Sequence, residues 1–126
     1  MKQIISTDDA PAAAGAYSQG TTNGDLVFTA GQIPATPEGE VLDDEPIDVQ
    51  TRQSLENVRG VLEAEGLGME DVLKVTVFLD DMDEWEGMNE VYSEFFPEDE
   101  PARSAIAVQG IAKGVKVEIE AVADAT

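Results

Sequence analysis

Arg103 stands alone among small residues in Pro101-Ala102-Arg103-Ser104-Ala105-Ile106-Ala107-Val108, and it is one of only three arginines in the chain. A short loop later comes Val115-Lys116-Val117-Glu118-Ile119-Glu120-Ala121-Val122. A guanidinium grips a carboxylate through two parallel N–H···O bonds, and a second carboxylate nearby can orient or deprotonate a water. Arg103 with Glu118 therefore has the chemistry to clamp a small acid and aim a water at it, with Glu120 as the rival for the second role. The plain alternative is a structural ion pair, the commoner outcome for an unspecified chain.

Composition removes most other chemistry. The chain has no cysteine, which excludes disulfides, zinc–thiolate sites and a thiolate nucleophile. It has no histidine either, which removes Ser-His-Asp and Cys-His catalysis and most transition-metal sites. Any reaction must run on Glu, Asp, Arg, Lys, Tyr, Ser, Thr, the backbone and bound water. The net charge of −20, from 27 acidic and 7 basic residues, repels nucleic-acid phosphate and anionic lipid. Acidic chains are often disordered, but 42% hydrophobic residues in periodic runs oppose that here. The acids are spread over loops and polar helix faces, which suits a salty medium where the Debye length falls to about 3 Å at 1 M.

Other carboxylate-rich or aromatic stretches carry less. Asp80-Asp81-Met82-Asp83-Glu84 invites calcium, but an EF-hand would then need a ligand at Trp85 and glycine at Glu86. A loop and helix N-terminus, where acids suit the dipole, is the better reading. Neither a phosphate-binding nor a dinucleotide glycine fingerprint is present. Trp85, Met88, Tyr92 and Phe95 fall at helical spacing and read as core, with Asn89 a polar residue on the same helix. Tyr17 reads as an edge aromatic.

The elements that must position these residues follow from periodicity. Val115, Val117, Ile119 and Ala121 alternate with Lys116, Glu118 and Glu120, as in a half-buried strand. The preceding segment splits into Ala102, Ser104, Ile106 and Val108 against Arg103, Ala105, Ala107 and Gln109. Gly110 and Gly114 bound the connection, so an antiparallel hairpin is the simplest joining, with Arg103 across the ladder from Glu118 and Glu120. Upstream, Lys2 to Ser6 reads as a short strand and Ala10 to Tyr17 as a loop. Asn23-Gly24 reads as a type I′ hairpin turn between Tyr17–Thr21 and Asp25–Ile33, and Gly31 marks a bulge or a close backbone approach. Residues 34–47 read as an exposed loop. Asp48 is the expected N-cap of a helix of about 18 residues closed by Gly66. Val72–Leu79 is a strand, and a second helix opens at Asp83 or Glu84 and stops before Pro97.

The resulting order gives a single α+β domain over residues 1–126, one sheet with two helices packed on one face. The other face, expected to carry Thr76, Phe78, Ala105 and Ala107, is too apolar for water, so a second copy of the chain is its natural cover. The N-terminus lacks the apolar core of a signal peptide, and no run approaches the roughly 18 apolar residues of a membrane span. The chain reads as soluble and cytoplasmic, with no membrane partner.

Several segments together resemble the Rid family, and more narrowly its reactive intermediate deaminase A type. They are Ala10-Pro11-Ala12-Ala13 through Tyr17-Ser18-Gln19-Gly20, Phe28-Thr29-Ala30-Gly31-Gln32-Ile33-Pro34, Gln53–Val58, Lys74–Leu79, Pro101-Ala102-Arg103-Ser104 and Val117-Glu118-Ile119-Glu120-Ala121. The resemblance implies a chorismate-mutase-like subunit assembled as a homotrimer with sites in the clefts between subunits, needing no cofactor and no metal. It implies hydrolysis of the enamines and imines released by pyridoxal-phosphate dehydratases, 2-aminoacrylate and its imine tautomer above all. Carried over by position, Arg103 would grip the substrate carboxylate and Glu118 would position the water. Tyr17 and Asn89 would line the pocket, with backbone groups at Gly31 and Ala105 touching substrate. Where the family often has a serine this chain has Ala30, which puts rate and substrate range in question, and where it has a cysteine this chain has Ala105, which removes a modification site but keeps the backbone contact and should not stop hydrolysis. The alternatives are a non-catalytic trimer that binds small acids, and a ribonuclease, which the charge and the lack of histidine make unattractive.

Overall fold

The computed structural model describes residues 1–126. The elements run β1 (Gln3–Ile5), β2 (Gly20–Thr22), β3 (Leu26–Thr29), α1 (Ile47–Glu63), β4 (Val72–Leu79), α2 (Trp85–Phe95), β5 (Ala102–Ala107) and β6 (Val117–Asp124). The strands form one six-stranded sheet in the order β1-β2-β3-β6-β4-β5. Both helices pack on the same face, as the order of the elements predicts.

That face holds one core. Leu55, Val58, Val61 and Leu62 of α1 meet Val75, Val77 and Leu79 of β4 and Val117, Ile119, Ala121 and Ala123 of β6, all but fully buried. α2 adds Met88, Val91, Tyr92 and Phe95 to the same cluster. The inward set of β6 is the one its alternation gives.

Helix ends follow local chemistry, with one difference. α1 starts at Ile47 behind Pro46, so Asp48 lies inside the first turn, suited to the dipole, and is not the N-cap. Gly66, at φ 75°, ends the helix as expected. Leu67 N–H donates to the Leu62 carbonyl and Gly66 N–H to that of Glu63, the paired bonds of a Schellman motif. α2 is entered through a single 3-10 turn, Met82–Glu84, capped by the Asp81 carboxylate, which accepts from Asp83 N–H.

The turn at Asn23-Gly24 is a hairpin but not of type I′. Only Gly24 has a positive φ (97°), while the Asn23 side chain accepts from the N–H groups of Asp25 and Leu26 and holds a wider loop. The stretch after Gly31 is less exposed than expected: Ala35 is buried, and Asn57 of α1 donates to the carbonyls of Ile33 and Ala35.

The largest departure concerns the last two strands, which do not form a hairpin. β4 lies between them, parallel to β5 and antiparallel to β6. α2 carries the chain back so that β5 adds outside β4, the usual route to a parallel pair. β6 then inserts between β4 and β3. The two sequences explain which becomes central. β6 alternates large buried residues and profits from neighbours on both sides, whereas β5 is Ala-Arg-Ser-Ala-Ile-Ala, too small and polar to fill the middle of a sheet.

This arrangement also corrects the composition of the open face. Directly paired residues share a face, so Arg103, Ala105 and Ala107 lie with Val75, Val77 and Leu79 on the helix side. Ala105 is thus partly buried against the core under the helices, while Ala107, on the same side at the end of the strand, is exposed. The open face carries Thr76, Phe78, Ser104, Ile106, Glu118, Glu120 and Val122. Phe28 and Ile4 extend it toward β1, and Ile4, Phe28 and Ile106 are exposed there.

Candidate functional site

Arg103 projects from edge strand β5 toward α2. Its Nη1 donates to Asn89 Oδ1 at 2.7 Å. Its Cζ lies 4.6 Å from the ring centroid of Tyr92 and 5.5 Å from that of Trp85, distances at which a cation is attracted by the ring faces. Trp85, Asn89 and Tyr92 recur at helical spacing, so one stripe of α2 surrounds the guanidinium. A cleft of about 380 Å³ opens beside it, lined by Asn89, Tyr92, Ser93, Phe96, Glu100, Pro101 and Arg103.

No carboxylate of the chain pairs with Arg103. Arg52 bridges to Glu94 at 3.2 Å and Arg59 to Glu56 at 3.1 Å, leaving Arg103 as the one arginine without an acidic partner. In a chain of net charge −20 that is a pronounced exception.

The main chain beside Arg103 is open as well. Val108 N–H donates to the Leu79 carbonyl, toward β4. With a period of two, the backbone groups of Arg103, Ala105 and Ala107 point to the free edge. Ala105 thus offers an N–H and a C=O at the free edge, two residues along the strand from Arg103.

Glu118 sits elsewhere, half-buried on the open face of β6. It lines a cleft of about 190 Å³ with Phe78, Val108, Gly110, Ile111 and Ala112. Its carboxyl is raised above the ordinary 4.5, first by burial and then by the negative charge of Glu120. Gly31 belongs to this half. Phe28 pairs with Val122 and Gln32 bridges Ile119, so three residues face two on β6, a bulge. Thr29 Oγ1 accepts from Ala121 N–H at 3.0 Å within it. A Cβ at residue 31 would collide with the Glu118 carboxylate, so glycine is what lets the backbone come this close. Both sequence-based readings of Gly31, bulge and close approach, are therefore present.

Tyr17 lines neither cleft. It is 54% exposed, and its hydroxyl accepts from Ala14 N–H within its own loop. Gln19 ties that loop down: its side chain donates to the carbonyls of Thr7, Ala10 and Pro11, and its carbonyl accepts from Ala30 N–H. The loop thus joins the Gly31 and Glu118 half of the molecule.

The structure accordingly brings Arg103, Asn89 and Ala105 together, and separately Glu118 and Gly31. It does not bring Arg103 to Glu118 within one chain, because they stand on opposite faces with β4 between their strands. The single-chain clamp expected from a hairpin is overturned. Sequence reasoning also missed Trp85 and Tyr92, assigned there to the core alone. Their spacing with Asn89 was the available signal.

Residues 7–125 match the model of the family described as endoribonuclease L-PSP. A RutC family protein of Pyrococcus horikoshii is 49% identical, over 98% of each chain. A 2-iminobutanoate/2-iminopropanoate deaminase of Salmonella typhimurium is 46% identical, again over 98% of each. Among solved structures, Escherichia coli TdcF with bound serine superposes with a TM-score of 0.93 at 43% identity, covering 98% of this chain and 99% of that one.

Proposed function

The chain belongs to the endoribonuclease L-PSP family, the Rid family that its motifs resemble, and from that premise we propose that it hydrolyses 2-imino acids to 2-oxo acids and ammonia. The observation that carries this reading is the Arg103 guanidinium, unpaired in a strongly acidic chain, held by Asn89 beside an open cleft and next to free backbone groups. Such an anchor suits a small carboxylate.

In the proposed reaction Arg103 and the main chain of Ala105 bind 2-iminopropanoate by its carboxylate. Water, held by Glu118, adds to the C=N carbon while the imine nitrogen takes a proton. The carbinolamine then expels ammonia as Glu118 relays the hydroxyl proton, leaving pyruvate. An imine carbon is already electrophilic, so orientation and one placed base suffice.

The separation of Arg103 from Glu118 makes the site a product of assembly. The Arg103 half of one copy faces the Glu118, Gly31 and Tyr17 half of a neighbour. The apolar open face, with Phe28, Ile106 and Ile4 exposed, supports burial against further copies, and a homotrimer is the closed arrangement proposed.

The ribonuclease reading gains nothing from the site. Arg103 is a lone cation, and the net charge of −20 opposes phosphate binding.

The test couples a pyridoxal-phosphate dehydratase to the protein and follows the imine by semicarbazide trapping in high salt. Arg103→Ala should lower kcat/KM by about tenfold to a hundredfold, the range for a charged hydrogen-bonded contact. A wild-type rate in that variant rejects the anchor. Saturable pyruvate binding with no acceleration by the wild-type protein would instead make it a small-acid binder.

A further inference from the structure

We propose that Trp85 and Tyr92 are positioning residues for the carboxylate anchor, forming an aromatic seat that keeps the Arg103 guanidinium out of reach of the chain's own acids. This rests on the reading of Arg103 as the substrate anchor.

The need for such a seat follows from charge. Glu100 lines the same cleft as Arg103, yet the two form no ion pair. A flexible arginine in so acidic a chain collapses onto the nearest carboxylate, as Arg52 does and as Arg59 does even with the Phe95 ring centroid 4.8 Å from its Cζ, so one ring face alone does not hold it away. Arg103 is instead held by the two ring faces and by one hydrogen bond to Asn89 Oδ1, a neutral acceptor. Ring faces attract a cation without neutralising it and leave the in-plane N–H groups free. Those N–H groups are the ones a substrate carboxylate uses.

Tyr92 shows which part of its side chain matters. The residue is 5% exposed, and its hydroxyl is buried with no hydrogen-bond partner. Burial pushes the phenol up to about 12, against the lowering effect of Arg103, so it stays protonated. An unpartnered buried hydroxyl is unfavourable in itself. The ring, packed at 4.8 Å on Phe96 and at 4.6 Å under Arg103, is what the position uses. Trp85 is half-buried and closes the seat from the start of the helix.

Trp85 is the only tryptophan, so its emission reports on this place alone. Pyruvate, a carboxylate that cannot be hydrolysed, is titrated calorimetrically and by fluorescence into the full-length wild type, Arg103→Ala, Trp85→Phe, Trp85→Leu, Tyr92→Phe and Tyr92→Leu. The Leu variants should bind about fivefold to tenfold more weakly, with KM for the imine rising in parallel and kcat changing less. The Phe variants keep a ring face and should stay within about twofold of wild type. Pyruvate should change Trp85 emission in the wild type and not in Arg103→Ala. If Tyr92→Leu fails to fold, the half-buried Trp85→Leu decides. Wild-type affinity and KM in folded Trp85→Leu overturn the seat and leave the anchor standing. Pyruvate binding that is absent in the wild type, or equal in Arg103→Ala, overturns the anchor and the seat together.

Discussion

Arg103 and Glu118 stand on opposite faces of one sheet. Arg103 shares its rung with Val75 and Ala121, which point into the core, and Glu118 shares its rung with Phe78 and Ile106, which point away from it. Three rungs and one intervening strand separate them. A chemistry that uses both side chains would therefore need two copies of the chain.

Mixing should reveal this. Arg103→Ala and Glu118→Ala chains, each strongly impaired alone, are unfolded together in equal amounts and refolded. Sites shared between neighbours then regain about a quarter of wild-type activity, the chance that one neighbour brings an unaltered Arg103 and the other an unaltered Glu118 to a given seam. No recovery, in a mixture shown by mass to have exchanged subunits, would place the whole site in one chain.

The acidic limb of the rate should belong to Glu118. Its carboxyl lies above the ordinary value through burial and through Glu120. The water-holding form is the ionised one, so kcat/KM rises with pH through that raised pKa and is lost below it. Glu120→Gln removes the second cause and should move the limb to lower pH. A limb that stays put or moves upward contradicts the assignment.

Gly31→Ala should separate folding from function. The added methyl meets the end of the flexible Glu118 side chain, which can swing away, and the backbone there is not in the left-handed region. Thermal stability should stay within about 1 kcal/mol of wild type, while kcat falls by about tenfold or more. Full activity in this variant would mean that Glu118 need not sit where it does.

Salt should stabilise the fold. A net charge of −20 on 126 residues is self-repulsive in dilute buffer and screened in molar KCl. The melting temperature should rise by about 5 °C or more between the two conditions. An unchanged value would count against a surface adapted to salt.

Much of this was open to a reader of the sequence. The absence of cysteine and histidine limited the chemistry, and the alternation in β6 gave its buried set without error. Helix positions in α1 and α2 followed from spacing because side-chain burial there repeats with the turn of the helix. Gly31 and Gly66 could be assigned because glycine marks close approach and left-handed backbone. The sequence also singled out Arg103 as an isolated cation among small residues.

What it did not determine was who neighbours whom. The short loop between β5 and β6 is compatible with a hairpin and equally with a strand inserted one place further on. Local pattern carries no term that distinguishes them. The choice depends on how well each strand fills the centre of a sheet already built by β3 and β4, a competition settled only when all the strands are present. That choice put Arg103 beneath α2, against Trp85 and Tyr92, and put Glu118 on the far side. Alternation tells which residues share a face of one strand, but only the assembled sheet tells which faces of two strands coincide.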